Sequence, residues 1–291
     1  MSNLRLWPLR ALWILVPLTT GAVVDDALAD RVASFRVGAT IVFWALWAIT
    51  LVATLVPRVE TLTAVRVVVP ANVLATAWAA AATDIDGRAA LAIAVAVAVV
   101  AVAFMAPDGE EFVNGSSYGD ERRMPLRPPV AMLAGPIPLA WVACVAGVIA
   151  GPLLLLAHVW IAGAALTAIG LPLTVLSARA LHQLSRRWVV FVPAGFVLHD
   201  HLALLEPVLF GRTDIVALGP ALADTRARDL TAGAAGLALQ VDFALPVSVT
   251  PTEPGDEAVE MVAITQCLFT PSRPGHVLAE AERRKIRVDR G

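Results

Sequence analysis

The amino-acid sequence predicts an α-helical transmembrane bundle of about six helices, followed by a small β-rich domain that ends in a helix. Three observations carry this. The 291 residues are 58% hydrophobic and 16% charged, with a mean hydropathy of +0.74, whereas soluble domains are about 45–50% apolar and about 25% charged. The charges gather in short clusters, and a soluble chain lacks the polar surface to cover the apolar runs left between them. Beyond Ser185 the long runs give way to short strand-like segments.

A helix needs about 20 apolar residues to cross roughly 30 Å of hydrocarbon. Six runs qualify, at about 6–24, 37–56, 62–83, 89–106, 129–150 and 152–177. Pro152 suits the first turn of a helix, where its missing N–H costs nothing, so the last two runs are expected to form a hairpin with a very tight turn there. Basic residues flanking the spans set orientation. With the N-terminus inside, Arg5, Arg10, Arg58, Arg66, Arg122, Arg123, Arg127, Arg179, Arg186 and Arg187 are cytoplasmic, against Arg31, Arg36 and Arg88 outside. Ten against three predicts a multi-pass plasma-membrane protein with both termini cytoplasmic. Arg5, Arg10, the first apolar run and Ala27-Leu28-Ala29 also have the order of a cleavable secretory signal. Asp25 and Asp26 fit that order poorly, so an uncleaved first helix is expected. Gly135-Pro136-Ile137-Pro138 and Gly170-Leu171-Pro172 mark kinks in the fifth and sixth helices.

The transmembrane domain thus covers residues 1–185, with a cytoplasmic loop at 107–129, and a cytoplasmic domain covers 186–291. In the latter, 188–192 and 196–199 read as strands around the turn Pro193-Ala194-Gly195. Short apolar segments follow at 202–210 and 215–218. Leu237, Leu239, Val241 and Phe243 alternate with polar neighbours as a half-buried strand does. A further strand covers 259–269, and a helix runs from His276 to about Ile286.

The run Trp188–Val192, Gly195-Phe196-Val197-Leu198, a strand ending in Phe210, Arg212-Thr213-Asp214-Ile215, and Phe269-Thr270-Pro271-Ser272-Arg273-Pro274 before the last helix resemble the bacterial pleckstrin-homology-like domain. The aromatic usual before Asp-Ile is replaced by Thr213. The whole chain resembles an actinobacterial family of multi-spanning membrane proteins carrying such a domain. The resemblance implies a binding scaffold, a barrel with loops at one mouth and a helix at the other, and it implies no particular activity. Lys285 is the only lysine while arginine, alanine and valine abound, a GC-rich bias that also points to a bacterium.

Chemistry-bearing clusters are few. His199-Asp200-His201 would place two imidazoles on one strand face, but no third ligand stands at a familiar spacing and no metal is expected. Asp84-Ile85-Asp86-Gly87-Arg88 has the first half of an aspartate-rich alcohol-phosphate transfer motif; alanine and valine stand where its second pair of aspartates belongs. His158 and Arg66 fall near span ends, where each can reach a polar partner. Cys144 and Cys267 have neither disulfide nor zinc spacing. No nucleophile–base pair, phosphate loop or dinucleotide fingerprint occurs, so neither catalytic residues nor cofactors are expected.

The loop 107–129 and the chain end carry the candidate partner or lipid contacts: Tyr118, Arg122, Arg123, Arg127, Arg283, Arg284, Lys285 and Arg287, with Arg290 beside them. Clustered bases near a membrane attract anionic headgroups at about 1 kcal/mol each. Between Arg186 and Arg290, however, eleven bases meet thirteen acids, and the net charge of −2 argues against a nucleic-acid partner. Gly147 and Gly151 provide a small-xxx-small face for homo-oligomerisation. The reading is therefore a non-enzymatic, membrane-anchored binding or scaffold protein, recognising a protein or an anionic headgroup at the inner leaflet. The alternative is a transporter or channel subunit whose kinked fifth and sixth helices line the pathway, and an enzyme ranks third.

Overall fold

The computed structural model describes residues 4–83, 85–252 and 261–289. The chain divides into two compact units, Met1–Gly115 with Ile137–His182 and Ser116–Pro136 with Gln183–Gly291.

The first unit is helical. α1 (Trp7–Leu28) contains a π-helical turn at Pro17–Gly21, opened by a proline that lacks an amide hydrogen. α2 (Ala33–Leu55), α3 (Val59–Ala82), α4 (Gly87–Ala103) and α5 (Ala106–Asn114) follow. A short α6 (Val130–Ala134), in the second unit, precedes α7 (Pro136–Leu156) and α8 (Trp160–Ser185). Five of these helices, α1, α2, α3, α7 and α8, are long and apolar enough to cross a membrane; α4 and α5, bent by 57°, make a sixth if counted together. The chain is a multi-pass membrane protein.

Two sequence expectations change. The tight turn at Pro152 does not occur: α7 runs through that proline to Leu156, and the chain reverses at 157–159 with His158 at a φ of 63°. Pro136 takes the first-turn position instead, where a missing N–H is harmless. The expected loop from 107 begins as a helix, with Pro107 in its first turn and Asp108, Glu110 and Glu111 buried.

Inside hydrocarbon a polar group gains from a partner within the protein, and several of the bundle's side chains have one. Buried Arg10 donates from Nε (3.2 Å) and Nη2 (2.6 Å) to the Thr54 carbonyl, satisfying an end carbonyl of α2. Trp13 and Trp47 exchange indole N–H bonds with each other's carbonyls at 2.9 and 3.0 Å. Thr20 and Thr76 share a hydroxyl bond at 2.9 Å. At the opposite end from Arg10, Arg88 pairs with Asp26 at 2.6 Å, and Asp86 caps α4 by accepting from the N–H groups of Arg88 and Ala89. The aspartate motif is thus a helix cap; its first member, Asp84, lies outside the described residues.

The glycines of α7 serve its own hairpin. A Cβ on Gly151 would overlap Thr167, and Gly147 and Gly170 approach each other's backbones. The small-residue face expected to mediate oligomerisation is therefore used to seat α8 on α7. Gly151→Leu is expected to pry the two helices apart at a cost of about 1–3 kcal/mol, the usual range for overpacking. The checks are a fall in the thermal midpoint of the purified chain and an unchanged mass by light scattering.

The second unit is β-rich. β1 (Arg122–Pro125), β2 (Trp188–Val192), β3 (Gly195–His199) and β4 (Val208–Gly211) form one antiparallel sheet in chain order. β5 (Ile215–Pro220), β6 (Arg228–Asp229), β7 (Leu239–Val249) and β8 (Val262–Phe269) form another, ordered β5-β7-β8-β6. α9 (Pro274–Arg283) closes the chain. Leu239, Val241 and Phe243 alternate inward as the period-2 pattern predicts, whereas Leu237 precedes the strand and is exposed. Both sheets and α9 share one core that includes Phe191, Phe196, Phe210, Phe269 and Val277. Cys267 is buried there, and burial first, then the Asp242 charge, pushes its thiol up to about 12; such a thiol is inert.

The first strand of this unit comes from the hydrophilic segment between two spans. Arg122 to Pro125 pair with Phe191 to Trp188. The chain beyond stays on the sheets, with Leu126 donating to Arg187, Arg127 to Thr270 and Val130 to Gly233 through backbone N–H groups. The β-rich unit therefore includes residues well before 186.

Candidate functional site

In the β-rich unit the structure joins two of the candidate segments, 164 positions apart: an Nη2 of Arg284 donates to the Asp120 carbonyl. α9 brings Glu280, buried, against both Arg283 and Arg284, the latter at 2.6 Å. On the other segment Arg123 pairs with Glu121 at 2.6 Å and lies 5.5 Å over the Trp188 ring, which stacks on His199 at 5.1 Å. The Arg123 guanidinium, with the Tyr118 N–H, holds the Glu121 carboxyl below its usual range. Tyr118 projects from this region 89% exposed. Arg122, Lys285 and Arg287 belong to the same two segments; Lys285 ends the helix at a φ of 61°, and the Arg287 carbonyl accepts from Leu218. Arg127 does not join them, since its guanidinium packs against Gly236. Arg290 lies outside the described residues.

The metal-like cluster resolves into other roles. Asp200 is fully buried and bound by Arg187 in two parallel bonds of 2.6 and 2.7 Å, while Arg187 also donates to the Arg127 carbonyl at 2.9 Å. His199 meets the Arg186 carbonyl at 2.9 Å. Among the described residues no three His, Cys, Asp or Glu side chains converge on a metal position.

In the helical unit, Arg66 lies 5.8 Å from the Phe104 ring and against Gly109 of α5. Arg5 pairs with Glu111 at 3.5 Å, and Thr63 bonds His182 at 3.1 Å. The larger feature is an apolar slot of about 540 Å³ lined by α1, α2, α3 and α7, within the size range of small-molecule sites. Polar bonds staple the hairpin on either side of it: Trp141 to the Val67 carbonyl (3.0 Å) toward one end, Ser34 to the Leu156 carbonyl (2.9 Å) and to His158 (3.2 Å) at the other. Leu74, Trp78 and Val142 line the slot and are also exposed, so it opens sideways on the bundle surface. Asn72 lines it too, 8% exposed, and its amide nitrogen has no partner. The prolines and glycines expected to frame a pathway do not line it: Gly170 is packed on Gly147. Nothing in the spacing of Asn72 announces the slot, because its lining converges from four helices. The one local signal is an asparagine amid an apolar run.

These features define the class: a multi-pass membrane protein bearing a β-rich unit assembled from two stretches of chain. Comparison with protein-family models, with curated proteins and with solved structures finds no match.

Proposed function

We propose that this chain is a non-enzymatic, membrane-anchored binding protein of the bacterial cell membrane. Its soluble unit, of pleckstrin-homology-like type, recognises a protein partner at the inner leaflet. The observation that carries the reading is the junction of segments 118–123 and 280–287 through Arg284 and Asp120, in a unit joined to the bundle by three covalent crossings. Two sheets closed by one C-terminal helix suit the scaffold that the sequence resembles. The ten-to-three arginine bias supports cytoplasmic termini.

A protein partner fits this edge better than an anionic headgroup does. Arg123 pairs with Glu121, Arg283 and Arg284 share Glu280, and Asp120 and Glu282 belong to the same segments, leaving little net positive field for a bilayer. An exposed tyrosine four and five residues before Arg122 and Arg123 brings together residue types common in protein-binding hot spots. A transport subunit is less favoured, because the slot is apolar and offers a hydrophilic solute almost no partners.

The test replaces Tyr118 with a photoreactive benzoylphenylalanine in the intact chain, in its own membranes. A discrete protein adduct is expected, weakened at least severalfold by Arg123→Ala, which leaves the fold's core untouched. Adducts of lipid mass alone, or none, would reject the protein-partner reading.

A further inference from the structure

We propose that the β-rich unit rests on the bilayer through an apolar patch of its own, formed by α6, the 231–238 loop and the chain just after β5. The patch dips beneath the headgroups to the edge of the hydrocarbon, and its occupant is lipid. It shares no residue with the surface around Tyr118 and does not depend on what binds there.

Three stretches of the unit meet at the patch, and backbone bonds knit them. The Val130 N–H donates to the Gly233 carbonyl at 3.1 Å, and Pro129 bridges to Ala234. The Ala221 N–H donates to the Ala238 carbonyl at 3.0 Å, which brings Leu222 beside Leu237. The loop between is held by its own bonds. Thr231 accepts from the Gly233 N–H through its hydroxyl at 3.2 Å and from the Ala234 N–H through its carbonyl at 3.1 Å. What this frame presents outward is apolar: Val130 (48% exposed), Leu133 (52%), Leu222 (67%) and Leu237 (51%). α6 buries none of its side chains.

Charge is missing where a solvated surface would carry it. No Asp, Glu, Lys or Arg occurs from Pro128 to Ala178, from Ile215 to Ala223 or from Leu230 to Val241. Arg127 stands at the rim, its guanidinium packed against Gly236, where a base can reach phosphate groups while its stem lies along apolar surface. An exposed apolar patch with a polar rim marks a protein or a membrane contact. Position in the chain favours the membrane.

α7 begins at Pro136, and its 21 residues extend about 32 Å at 1.5 Å per residue, close to the thickness of the hydrocarbon. The whole helix is needed for the crossing, which sets Pro136 at the boundary. Leu133 stands three residues earlier, at most about 10 Å along the chain, and the headgroup layer is itself about 5–8 Å deep. α6 therefore leads out of that layer, and the bond from Val130 to Gly233 brings the 231–238 loop to the same level. Lipid is already present there; a protein would have to displace it.

The test uses the full chain, one copy per phospholipid nanodisc, with a single introduced cysteine carrying a nitrobenzoxadiazole dye. The native Cys144 and Cys267 are buried, and the wild type treated alike supplies the background. The labelled variants are Leu133→Cys, Leu222→Cys, Leu237→Cys and, for comparison, Leu245→Cys. Leu245 is also exposed but lies six residues beyond Leu239 along β7, about 20 Å at 3.3 Å per residue. All four positions are exposed, and an unchanged thermal midpoint checks that each labelled chain is folded. Lipids with a doxyl quencher just below the headgroup report the bilayer, and iodide reports water. Labels at 133, 222 and 237 are expected to be quenched by doxyl lipid at least severalfold more than the label at 245, and less by iodide. Labels at 222 and 237 that behave like the one at 245 would place the loop in water and overturn the proposal. Protection of those labels from both quenchers would show a protein surface over the patch and would overturn it as well.

Discussion

Asp200→Ala is expected to destabilise the β-rich unit by about 3–5 kcal/mol, because it strands a buried guanidinium. Arg187 and Asp200 are essentially solvent-free and joined by two parallel bonds. Asp200 further accepts from the Leu202 N–H at 3.0 Å through its carboxylate, and its carbonyl takes the N–H of Leu204 at 2.8 Å. Arg187 reaches the Arg127 carbonyl. One ion pair thus ties the inserted segment, the start of β2 and the turn after β3. Hydrogen exchange of the intact chain is the measurement: peptides covering 122–127 and 188–211 should lose protection together, while those of the helical unit keep theirs. The double variant Arg187→Met/Asp200→Leu removes both charges and should recover much of the loss, as replaced buried pairs do elsewhere. Equal protection in Asp200→Ala and the wild type would mean that the pair does not hold these segments together.

The second large effect is expected from Phe196→Ala, about 3–5 kcal/mol, the range for removing a buried phenylalanine ring. Phe196 stands at the centre of an aromatic cluster, with ring centroids 5.5 Å from Phe191, 5.3 Å from Phe210 and 5.9 Å from Phe269. Phe269 belongs to β8, so the ring packs one sheet on the other. Truncation leaves a cavity that close-packed neighbours refill only in part. Exchange protection should fall in both sheets and in α9, which shares the core. Loss confined to the first sheet would show that the two sheets are stabilised separately.

Much of the architecture was legible because it is locally encoded. A membrane helix announces itself by the length of one apolar run, so the first four runs fall within about four residues of their helices' ends, whereas the fifth and sixth were read some six to eight residues too early. β2 and β3 were legible from Trp188–Val192, the Pro193-Ala194 turn and the glycine that follows, and β7 from its alternation. β1 was not. Arg122-Arg123-Met124-Pro125 has no alternating pattern and becomes a strand only because β2 offers it a free edge. The acids of α5 were read as part of a polar loop rather than a buried helix, since their burial depends on helices far away in sequence. The candidate residues divided in the same way. Their chemistry was visible in the composition of 118–127 and 283–287, but the bond that unites two of these segments spans 164 positions. His199-Asp200-His201 carried no metal expectation, but its actual partners, the Arg186 carbonyl for His199 and Arg187 for Asp200, were not visible in the sequence.

By itself the sequence determined that this chain inserts in a membrane with several helices and ends in a β-rich unit, because hydrophobic length and periodicity are properties of contiguous residues. Only the tertiary structure decided that the β-rich unit borrows a strand from between two spans. It likewise decided that Gly147 and Gly151 seat one helix on its neighbour, and that Asn72 is among the residues around an apolar slot. Each of these depends on which surfaces meet across long stretches of chain, and no local pattern carries that information.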